Sequence, residues 1–360
     1  MSLENVQEEL AAERGPAALQ VDSGRVGVEH EENVHRAGGV SKQPLEVVAF
    51  KFGGSSLLGA DRMLHAASLV RSAAAVSNVT VVVSAMKGVT DHLLAIAHAL
   101  AEGKLAHARR EAEVVLALHL DVLRDLRLEE AEDDLRIHRE LKLLSGDLLH
   151  EVPAEGRVPA GAELFDRLAS FGERFSARLF AAALEKLGVA AVPVASSDFV
   201  LTCDTFRDAQ PHLEQTKQRG RDILIPLLEE GIVPVVTGFI GATPDGRITT
   251  LGRNSSDFSG AIIAHVVDAD ELVIWTDVDG IYTANPNESA EAKLLHELSY
   301  DEAHALAAAG AKVLHAKVLP LAAETEMVVW VRNTFNPQAR GTRIGPGQEY
   351  SGTVRRDGAA

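Results

Sequence analysis

Cysteine, positive charge and long apolar runs are all scarce in this chain of 360 residues. Cys203 is the only cysteine, so an intrachain disulfide and a thiolate zinc site are both excluded, and a reducing compartment is expected. The 35 lysine and arginine residues face 52 acidic ones, which gives a formal net charge of −17. Because nucleic acids and anionic membranes bind basic faces, this acidity argues against either partner.

Membrane-spanning and secretory patterns are missing as well, and so are two common site motifs. No run reaches the roughly 18 apolar residues of a membrane-spanning helix, and the N-terminus lacks a secretory signal, so a cytoplasmic protein is predicted. A GxxxxGK P-loop is absent, so any phosphate site has another construction. The segment His296–Tyr300 begins like the HExxH zinc motif but ends in tyrosine, which removes the second metal ligand.

Alternating β-rich and helical patterns fill most of the chain, which at 46% hydrophobic residues is long enough for one large two-lobed domain or two ordinary ones. Helical spacing occurs at Asp61–Val70, Asp166–Leu187 and Ser256–Val266. The alternation predicts an α/β fold with a mostly parallel sheet covered by helices. The predicted strands are Val47–Phe50, Val79–Val83, Val189–Val194, Ile232–Val236, Leu272–Trp275 and Val328–Val331.

Composition also predicts which segments lie outside this alternation. Residues 1–44 are polar and acidic and are expected to form a disordered extension, and residues 347–360 a flexible tail. The stretch that begins at residue 92 is charged and almost free of glycine and proline, which predicts a helical insertion over 92–160. The domain itself is assigned to residues 45–346.

Glycines, hydroxyl groups and a lysine follow the first two predicted strands. The first strand runs through Lys51 into Gly53 and Gly54, where backbone N–H groups favour an anion, although a tight turn with an incidental lysine is the alternative. The second strand is followed by SAMKGVTD, which places hydroxyl groups at the same edge of the sheet. Ligands gather at that edge in open α/β sheets, but Thr90 is equally well explained as a helix N-cap.

Three further motifs carry charged side chains. The helical segment FGER contains Glu173 and, before it, Gly172, which costs about 1 kcal/mol in a helix and indicates a close approach. The turn GRNSSD opens a helix with Arg253, whose guanidinium matches a carboxylate. The segment GAKVLH adds Lys312, which either meets Lys51 across the sheet edge or is a solvated helix residue.

Six segments resemble, in this order, the catalytic domain of aspartokinases, members of the amino acid kinase family: KFGGSS, VVVSAMKGVTD, FGER, GRNSSD, WTDVDGIY and GAKVLH. The resemblance covers about residues 47–344, and GRNSSD and WTDVDG are most similar to the kinase part of fused aspartokinase and homoserine dehydrogenase enzymes. It implies a three-layer αβα sandwich, the amino acid kinase fold, with an aspartate-binding lobe at 45–237 and a nucleotide-binding lobe at 238–346.

The activity that this resemblance implies is phosphoryl transfer from ATP and Mg²⁺ to the side-chain carboxylate of L-aspartate, the first step of the pathway to lysine, threonine and methionine. A homodimer is expected by resemblance, and a separate regulatory chain stays open. The paired regulatory ACT repeats of the family do not follow in this sequence, so feedback inhibition by lysine or threonine through this chain is not expected. The rivals are a family member acting on glutamate, acetylglutamate or a nucleotide, and a non-catalytic binding or regulatory subunit.

The same resemblance implies roles for individual residues. The expected catalytic residues are Lys51, Asp257 and Lys312, with Asp257 organising the two lysines. The expected ATP-binding residues are Lys51, Gly53, Gly54, Ser55, Thr276, Asp277, Tyr282, Lys312 and Val313. The expected aspartate-binding residues are Ser84, Thr90, Glu173, Arg253, Asn254, Ser255 and Ser256. Among these, Arg253 is expected on the α-carboxylate and Glu173 near the α-ammonium, and no side chain is assigned to a metal.

Three positions depart from the family pattern. Asn287 stands where a basic residue is usual, Ala316 where a proline is common, and Lys317 where arginine is frequent. Asn287 concerns a contact with the nucleotide, and Ala316 and Lys317 concern a local turn.

Overall fold

The computed structural model describes residues 45–127, 132–153, 161–253, 255–284, 289, 291–308, 314–315 and 317–347, with 132–135 and 308 in backbone only. The described residues from Glu46 onwards belong to one compact unit. Several predictions concern residues outside the described ones: the extension 1–44, Asn254, Asn287, Lys312, Val313, Ala316 and the tail after 347.

Strands and helices alternate along the described residues. The strands are β1 (Val47–Phe52), β2 (Asn78–Val83), β3 (Ala191–Val194), β4 (Val233–Thr237), β5 (Ile240–Ala242), β6 (Ile248–Thr250), β7 (Glu271–Thr276), β8 (Ile281–Tyr282), β9 (Leu294–Leu295), β10 (Glu297–Ser299), β11 (Val328–Asn333) and β12 (Thr342–Gly345). The α-helices are α1 (Ala60–Ala74), α2 (Val89–Ala101), α3 (Leu105–Asp125), α4 (Glu132–His150), α5 (Ala162–Lys186), α6 (Leu213–Glu229), α7 (Ser256–Val266), α8 (Tyr300–Ala308) and α9 (Val318–Glu324). Short 3₁₀ helices lie at Gly54–Leu57 and Ser196–Asp198.

Eight of these strands form one sheet in the order β10-β12-β11-β7-β1-β2-β4-β3. The six neighbours from β11 to β3 pair in parallel, and β12 runs antiparallel to β11 with β10 parallel to it at the edge. Parallel neighbours need crossover connections, which the helices provide. The predicted α/β fold with a mostly parallel sheet is confirmed.

Successive side chains of β1 point to opposite faces of the sheet and enter two different cores. Phe50 and Phe52 belong to a hydrophobic cluster that includes residues of α1 to α5. Ala49 belongs to a second cluster, which includes residues of α6, α7 and α9. Helices therefore cover both faces, which confirms the predicted three-layer sandwich. Lys51 alternates with Phe50 and Phe52 and so lies on the same face as Ala49.

The observed helices account for the charged stretch after residue 92, which forms α2, α3 and α4. The strand bounds differ from the predicted ones by one or two residues, and β3 begins at Ala191, two residues after the predicted Val189. Gly188 has a φ of 77° and turns the chain at the end of α5, and the N–H of Val189 donates to the carbonyl of Leu184 at 3.0 Å. Val189 therefore caps the helix instead of pairing in the sheet. In the described part of the chain, no helix is both long and apolar enough to cross a bilayer.

The register at the middle of the sheet brings four strand ends to one edge. Phe52 pairs with Val83 and with Trp275, and Val83 pairs with Thr237, so β1, β2, β4 and β7 end side by side. The chain leaves β1 towards β2 on one side and returns to β7 on the other. Such a reversal of strand order is where ligands bind in open α/β sheets.

Candidate active site

A cavity of about 680 Å³ lies at this edge of the sheet. Its walls come from the segment after β2, the first turn of α2, the N-terminal half of α5 and the turn before α7. It is lined by six of the predicted aspartate-binding residues: Ser84, Thr90, Glu173, Arg253, Ser255 and Ser256. The structure thus brings together residues that are far apart in the sequence, while Asn254 lies outside the described residues.

Lys51 extends from β1 towards the first turn of α7. Its Nζ lies 2.7 Å from Oδ1 of Asp257, and the two side chains are 7% and 21% exposed. Gly260, one turn along α7, leaves room for this contact, because a Cβ there would lie 3.1 Å from the Cβ of Lys51. The ion pair agrees with the organising role expected for Asp257 towards Lys51.

Gly53 and Gly54 bring the backbone close to the Lys51 ammonium group and to the segment after β2. The N–H of Gly53 donates to the carbonyl of Trp275 at 3.3 Å, and a Cβ on Gly53 would lie 3.6 Å from Nζ of Lys51. A Cβ on Gly54 would lie 2.5 Å from the carbonyl oxygen of Ala85, which is too close for any other residue. The glycine turn therefore places the end of Lys51 beside the strand ends.

Glu173 is a buried carboxyl group on α5 that faces the end of β2. Its side chain is 3% exposed, Oε1 accepts a hydrogen bond from the N–H of Ala85 at 3.0 Å, and Oε2 has no partner among the described residues. Burial raises the pKa of Glu173 to about 8, although the Ala85 hydrogen bond and the charge of Lys51 act in the opposite direction. A cation next to Oε2 would favour the ionised carboxylate.

Gly172 explains how α5 approaches this strand end so closely. A Cβ on Gly172 would lie 2.5 Å from the Cβ of Ala85 and 3.4 Å from side-chain atoms of Val89 and Leu93. The close approach predicted for this helical glycine is confirmed. It is what lets the neighbouring Glu173 reach the backbone of Ala85.

Two buried hydroxyl groups of the cavity also lack partners among the described residues. Ser84 is 9% exposed and Ser255 is fully buried, and the Oγ atom of each has no hydrogen bond. Burying a hydroxyl group without a partner costs free energy, so such atoms usually belong to a site that is completed by a ligand or water. Ser84, Ser255 and Glu173, which carry these buried atoms without partners among the described residues, all line the same cavity, which favours a small polar ligand there.

Arg253 lies at the exposed rim of the cavity. Its Nη2 is 3.3 Å from Oδ1 of Asp91 in the first turn of α2, and the two side chains are 75% and 77% exposed. An exposed ion pair of this kind contributes only about 0 to 1 kcal/mol. The guanidinium can therefore exchange Asp91 for the carboxylate of a ligand at little cost.

The predicted nucleotide-binding residues near β7 lie outside this cavity. Thr276 ends β7, with its Oγ1 3.4 Å from Oδ1 of the exposed Asp277, and Tyr282 is half-buried in β8. Ser55 lies in the 3₁₀ helix that follows the glycine turn. Because β7 borders β1 on the side away from β2, Thr276 and Asp277 flank the glycine turn from the other side. The assignment of these residues to a nucleotide stays a prediction, as does that of Lys312 and Val313.

The sequence-based prediction missed Asp166 and Arg207, which also line the cavity. The Asp166 carboxylate is 1% exposed and accepts hydrogen bonds from Oγ1 and N–H of Thr250 at 2.8 and 2.9 Å and from the N–H of Arg207 at 2.8 Å. Burial raises its pKa above the usual range, and these hydrogen bonds counteract part of that rise. The sequence pattern begins this helix at Asp166, whereas α5 begins at Ala162, so Asp166 lies inside the helix, two turns before Glu173.

Comparison with known proteins supports this description of the fold. The model of the "Amino acid kinase family" matches residues 46–333. The chain is 35% identical over 299 residues to the lysine-sensitive aspartokinase 3 of Escherichia coli, covering 83% of this chain and 64% of that protein. It is 30% identical to the bifunctional aspartokinase/homoserine dehydrogenase of Haemophilus influenzae, covering 82% of this chain and 36% of that protein. The resemblance to fused enzymes is thus present, and identity to the E. coli aspartokinase is higher.

A solved structure shows the same arrangement. The crystal structure of E. coli aspartokinase III in complex with aspartate and ADP superposes with a TM-score of 0.77 at 33% identity, covering 85% of this chain and 66% of that one. This chain therefore spans about two thirds or less of the length of these relatives. The family match extends over most of the chain. This chain belongs to the amino acid kinase family.

Proposed function

We propose that this chain is an aspartate kinase, which transfers the γ-phosphoryl group of ATP to the β-carboxylate of L-aspartate and forms 4-phospho-L-aspartate. The observation that carries the proposal is one cavity whose lining residues Ser84, Glu173 and Ser255 each carry a buried polar atom without a partner among the described residues. The Lys51–Asp257 ion pair lies beside this cavity, because Asp257 directly follows the lining residue Ser256. The aspartokinase relatives support the choice of aspartate within the family.

The cavity suits an amino acid because it offers partners for each of its polar groups. The Glu173 carboxyl group is the proposed partner of the α-ammonium, which would lower its raised pKa and ionise it. Arg253 is the proposed partner of the α-carboxylate, since a guanidinium binds a carboxylate with two parallel hydrogen bonds. Hydroxyl groups of Ser84, Thr90, Ser255 and Ser256 complete the lining.

Transfer to a carboxylate needs charge stabilisation more than it needs a base. Free aspartate has a side-chain pKa near 3.9, so the nucleophile is ionised at neutral pH and no general base is required. The barrier comes from bringing two anions together, and enzymes lower it by positioning and by cations placed at the transferring oxygens. Lys51, held by Asp257 at the glycine turn, is the described residue placed to supply such a charge.

The glycine turn is the proposed site of the ATP phosphates. Gly53 leaves a gap beside Nζ of Lys51 that a side chain would fill, and backbone N–H groups in such turns bind phosphate oxygens. Magnesium-bound ATP would supply the phosphoryl group and part of the neutralising charge. Thr276, Asp277 and Tyr282 are proposed to lie along the nucleotide on the β7 side.

Two segments of the chain are proposed to bind the two substrates. Residues 45–237 would hold aspartate and residues 238–346 the nucleotide, yet Arg253, Ser255 and Ser256 of the second segment line the same cavity. The acceptor site therefore draws on both segments. A homodimer and a place at the start of aspartate-family biosynthesis are proposed by the same likeness to aspartokinases.

A hydroxamate assay tests the activity directly. Purified protein, ATP, Mg²⁺ and L-aspartate are incubated with hydroxylamine, which traps an acyl phosphate as a hydroxamate that gives a coloured complex with iron(III), and ADP release is measured in parallel. Aspartate hydroxamate and stoichiometric ADP are expected. Turnover with glutamate, acetylglutamate or a nucleotide but not with aspartate would assign another acceptor, and ATP binding without turnover of any acceptor would indicate a non-catalytic subunit.

A further inference from the structure

Arg207 presents a positive charge to the cavity that the proposed function leaves unassigned. It lines the cavity, and its Cζ lies 5.0 Å from the ring centre of Phe165, another lining residue. Phe165 in turn packs edge-on against His98, with ring centres 4.8 Å apart. A guanidinium stacked on an aromatic face keeps its charge and all its N–H donors while its orientation is restricted.

The backbone of Arg207 is strained and is held in place by a hydrogen bond to Asp166. Its φ of 72° lies in the left-handed region, which costs an L-residue roughly 1–2 kcal/mol relative to glycine. The buried Asp166 accepts the N–H of Arg207 and holds this conformation, so that carboxylate engages the backbone rather than the guanidinium. A strained side-chain-bearing residue in a cavity wall points to a role for that side chain.

The same contacts place Arg207 next to the segment that carries Arg253. Asp166 also accepts two hydrogen bonds from Thr250, three residues before Arg253. Gly252, with a φ of 98°, packs closely on the same loop, because a Cβ there would lie 3.0 Å from Oδ1 of Asp208, the residue after Arg207. One buried carboxylate therefore ties together the two segments that bring guanidinium groups to this cavity.

We infer that Arg207 is a second carboxylate-binding residue of the acceptor cavity, which together with Arg253 holds the α-carboxylate of the amino-acid acceptor. Arg207 and Arg253 line the cavity from the two segments that Asp166 holds together, and Glu173 lines it from α5, which offers separate partners for the carboxylate and the ammonium of such a ligand. Arg207 thereby selects acceptors that carry a free α-carboxylate. The inference rests on the proposed function for the identity of the acceptor.

Arg207→Gly is the decisive variant, because glycine adopts the left-handed conformation without strain and the fold is preserved. Calorimetry without ATP is expected to show aspartate binding weakened by about tenfold or more, the usual loss for a charged hydrogen bond. In the ADP-release assay the KM for aspartate is expected to rise similarly, with the KM for ATP unchanged and kcat less affected. Arg207→Lys is expected to recover part of the affinity, and the exposed Arg71→Gln is the control for net charge.

The α-amide of aspartate identifies the group that Arg207 contacts. It keeps the β-carboxylate and the ammonium but lacks the α-carboxylate. The ratio of the affinities for aspartate and for this amide is therefore expected to fall about tenfold in Arg207→Gly. Unchanged aspartate affinity in Arg207→Gly, or equal losses for aspartate and the amide, would overturn the inference. Aspartate binding without any turnover in the wild-type protein would overturn the proposed function alone, and no aspartate binding would overturn both.

Discussion

The ammonium group of Lys51 and the carboxylate of Asp257 belong to different layers of the fold, yet they lie 2.7 Å apart. Lys51 comes from a central strand and Asp257 from the first turn of a covering helix, so the pair joins the sheet to α7 at the mouth of the site. Because both side chains are mostly shielded from water, the direction of the ammonium group is well defined.

Lys51→Ala is expected to lower turnover about 100-fold or more, the size of effect seen when one group that stabilises transition-state charge is removed. The variant also leaves Asp257 without its partner, which costs roughly 1–3 kcal/mol of stability. The hydroxamate assay measures the first effect and urea unfolding the second. Lys186→Ala, at the exposed end of α5, is the matched control and is expected to behave as wild type. Retained turnover in Lys51→Ala would remove this residue from the site.

Gly172→Ala is expected to destabilise the protein by about 1–3 kcal/mol, as overpacking does, although alanine is the better helix former by about 1 kcal/mol. The reason is the 2.5 Å distance between the added methyl group and the Cβ of Ala85. Adding Ala85→Gly removes the clash and is expected to restore much of the loss in urea unfolding. A single Gly172→Ala variant more stable than wild type would contradict the described packing.

Glu173 is expected to make both stability and aspartate binding depend on pH. Its pKa is raised from 4.5 to about 8 in the folded protein, so its contribution to stability is fully present below pH 4.5 and is lost as the pH rises through 8. Relative to Glu173→Gln, the free energy of unfolding should fall by about 1.4 kcal/mol per pH unit within this window.

The same group provides a test in the presence of ligand. Binding of an ammonium beside Glu173 ionises its carboxyl group, so aspartate binding at pH 7 is expected to release a proton. Calorimetry in two buffers of different ionisation enthalpy measures that proton, and Glu173→Gln should abolish the release. Equal proton release in both proteins would show that Glu173 does not face the ligand.

His119 is expected to make the protein sensitive to acid. The ring is buried and stacked on Phe175 with centres 4.4 Å apart, and burial lowers its pKa from 6.5 to about 4. Because the folded pKa is the lower one, stability is present above pH 6.5 and is lost as the pH falls through 4, by on the order of 3 kcal/mol in total.

His119→Leu removes this titration. The difference in unfolding free energy between wild type and His119→Leu should therefore change between pH 7 and pH 4.5 in favour of the variant. The exposed His304→Leu serves as the control and should keep the acid dependence of the wild-type protein. Parallel curves for wild type and His119→Leu would contradict the burial of a neutral ring.

The central strands of the sheet were predictable because they are buried on both faces and so form continuous apolar runs, whereas the outer strands β10 and β12 were not predicted. Residues of the site were found where a chemical motif sits directly at a strand end, as for Lys51 and Ser84. Asp166 and Arg207 were not predicted because Asp166 is joined to the backbone of Arg207 and to Thr250, which lie 41 and 84 residues away in the sequence. Local periodicity carries no information about such pairings, and the strained φ of Arg207 is visible only in the folded chain.

Trp275 gives the glycine turn a built-in optical reporter. Its carbonyl accepts the N–H of Gly53, and its indole stacks on Phe52, with ring centres 6.2 Å apart and planes 6° from parallel. The chain has two tryptophans, and replacing Trp330 by phenylalanine leaves Trp275 as the single tryptophan, one hydrogen bond from that turn. Movement of the turn is therefore expected to change the fluorescence of the unlabelled protein. Binding of ATP at the proposed phosphate site could then be followed in real time without a coupled enzyme.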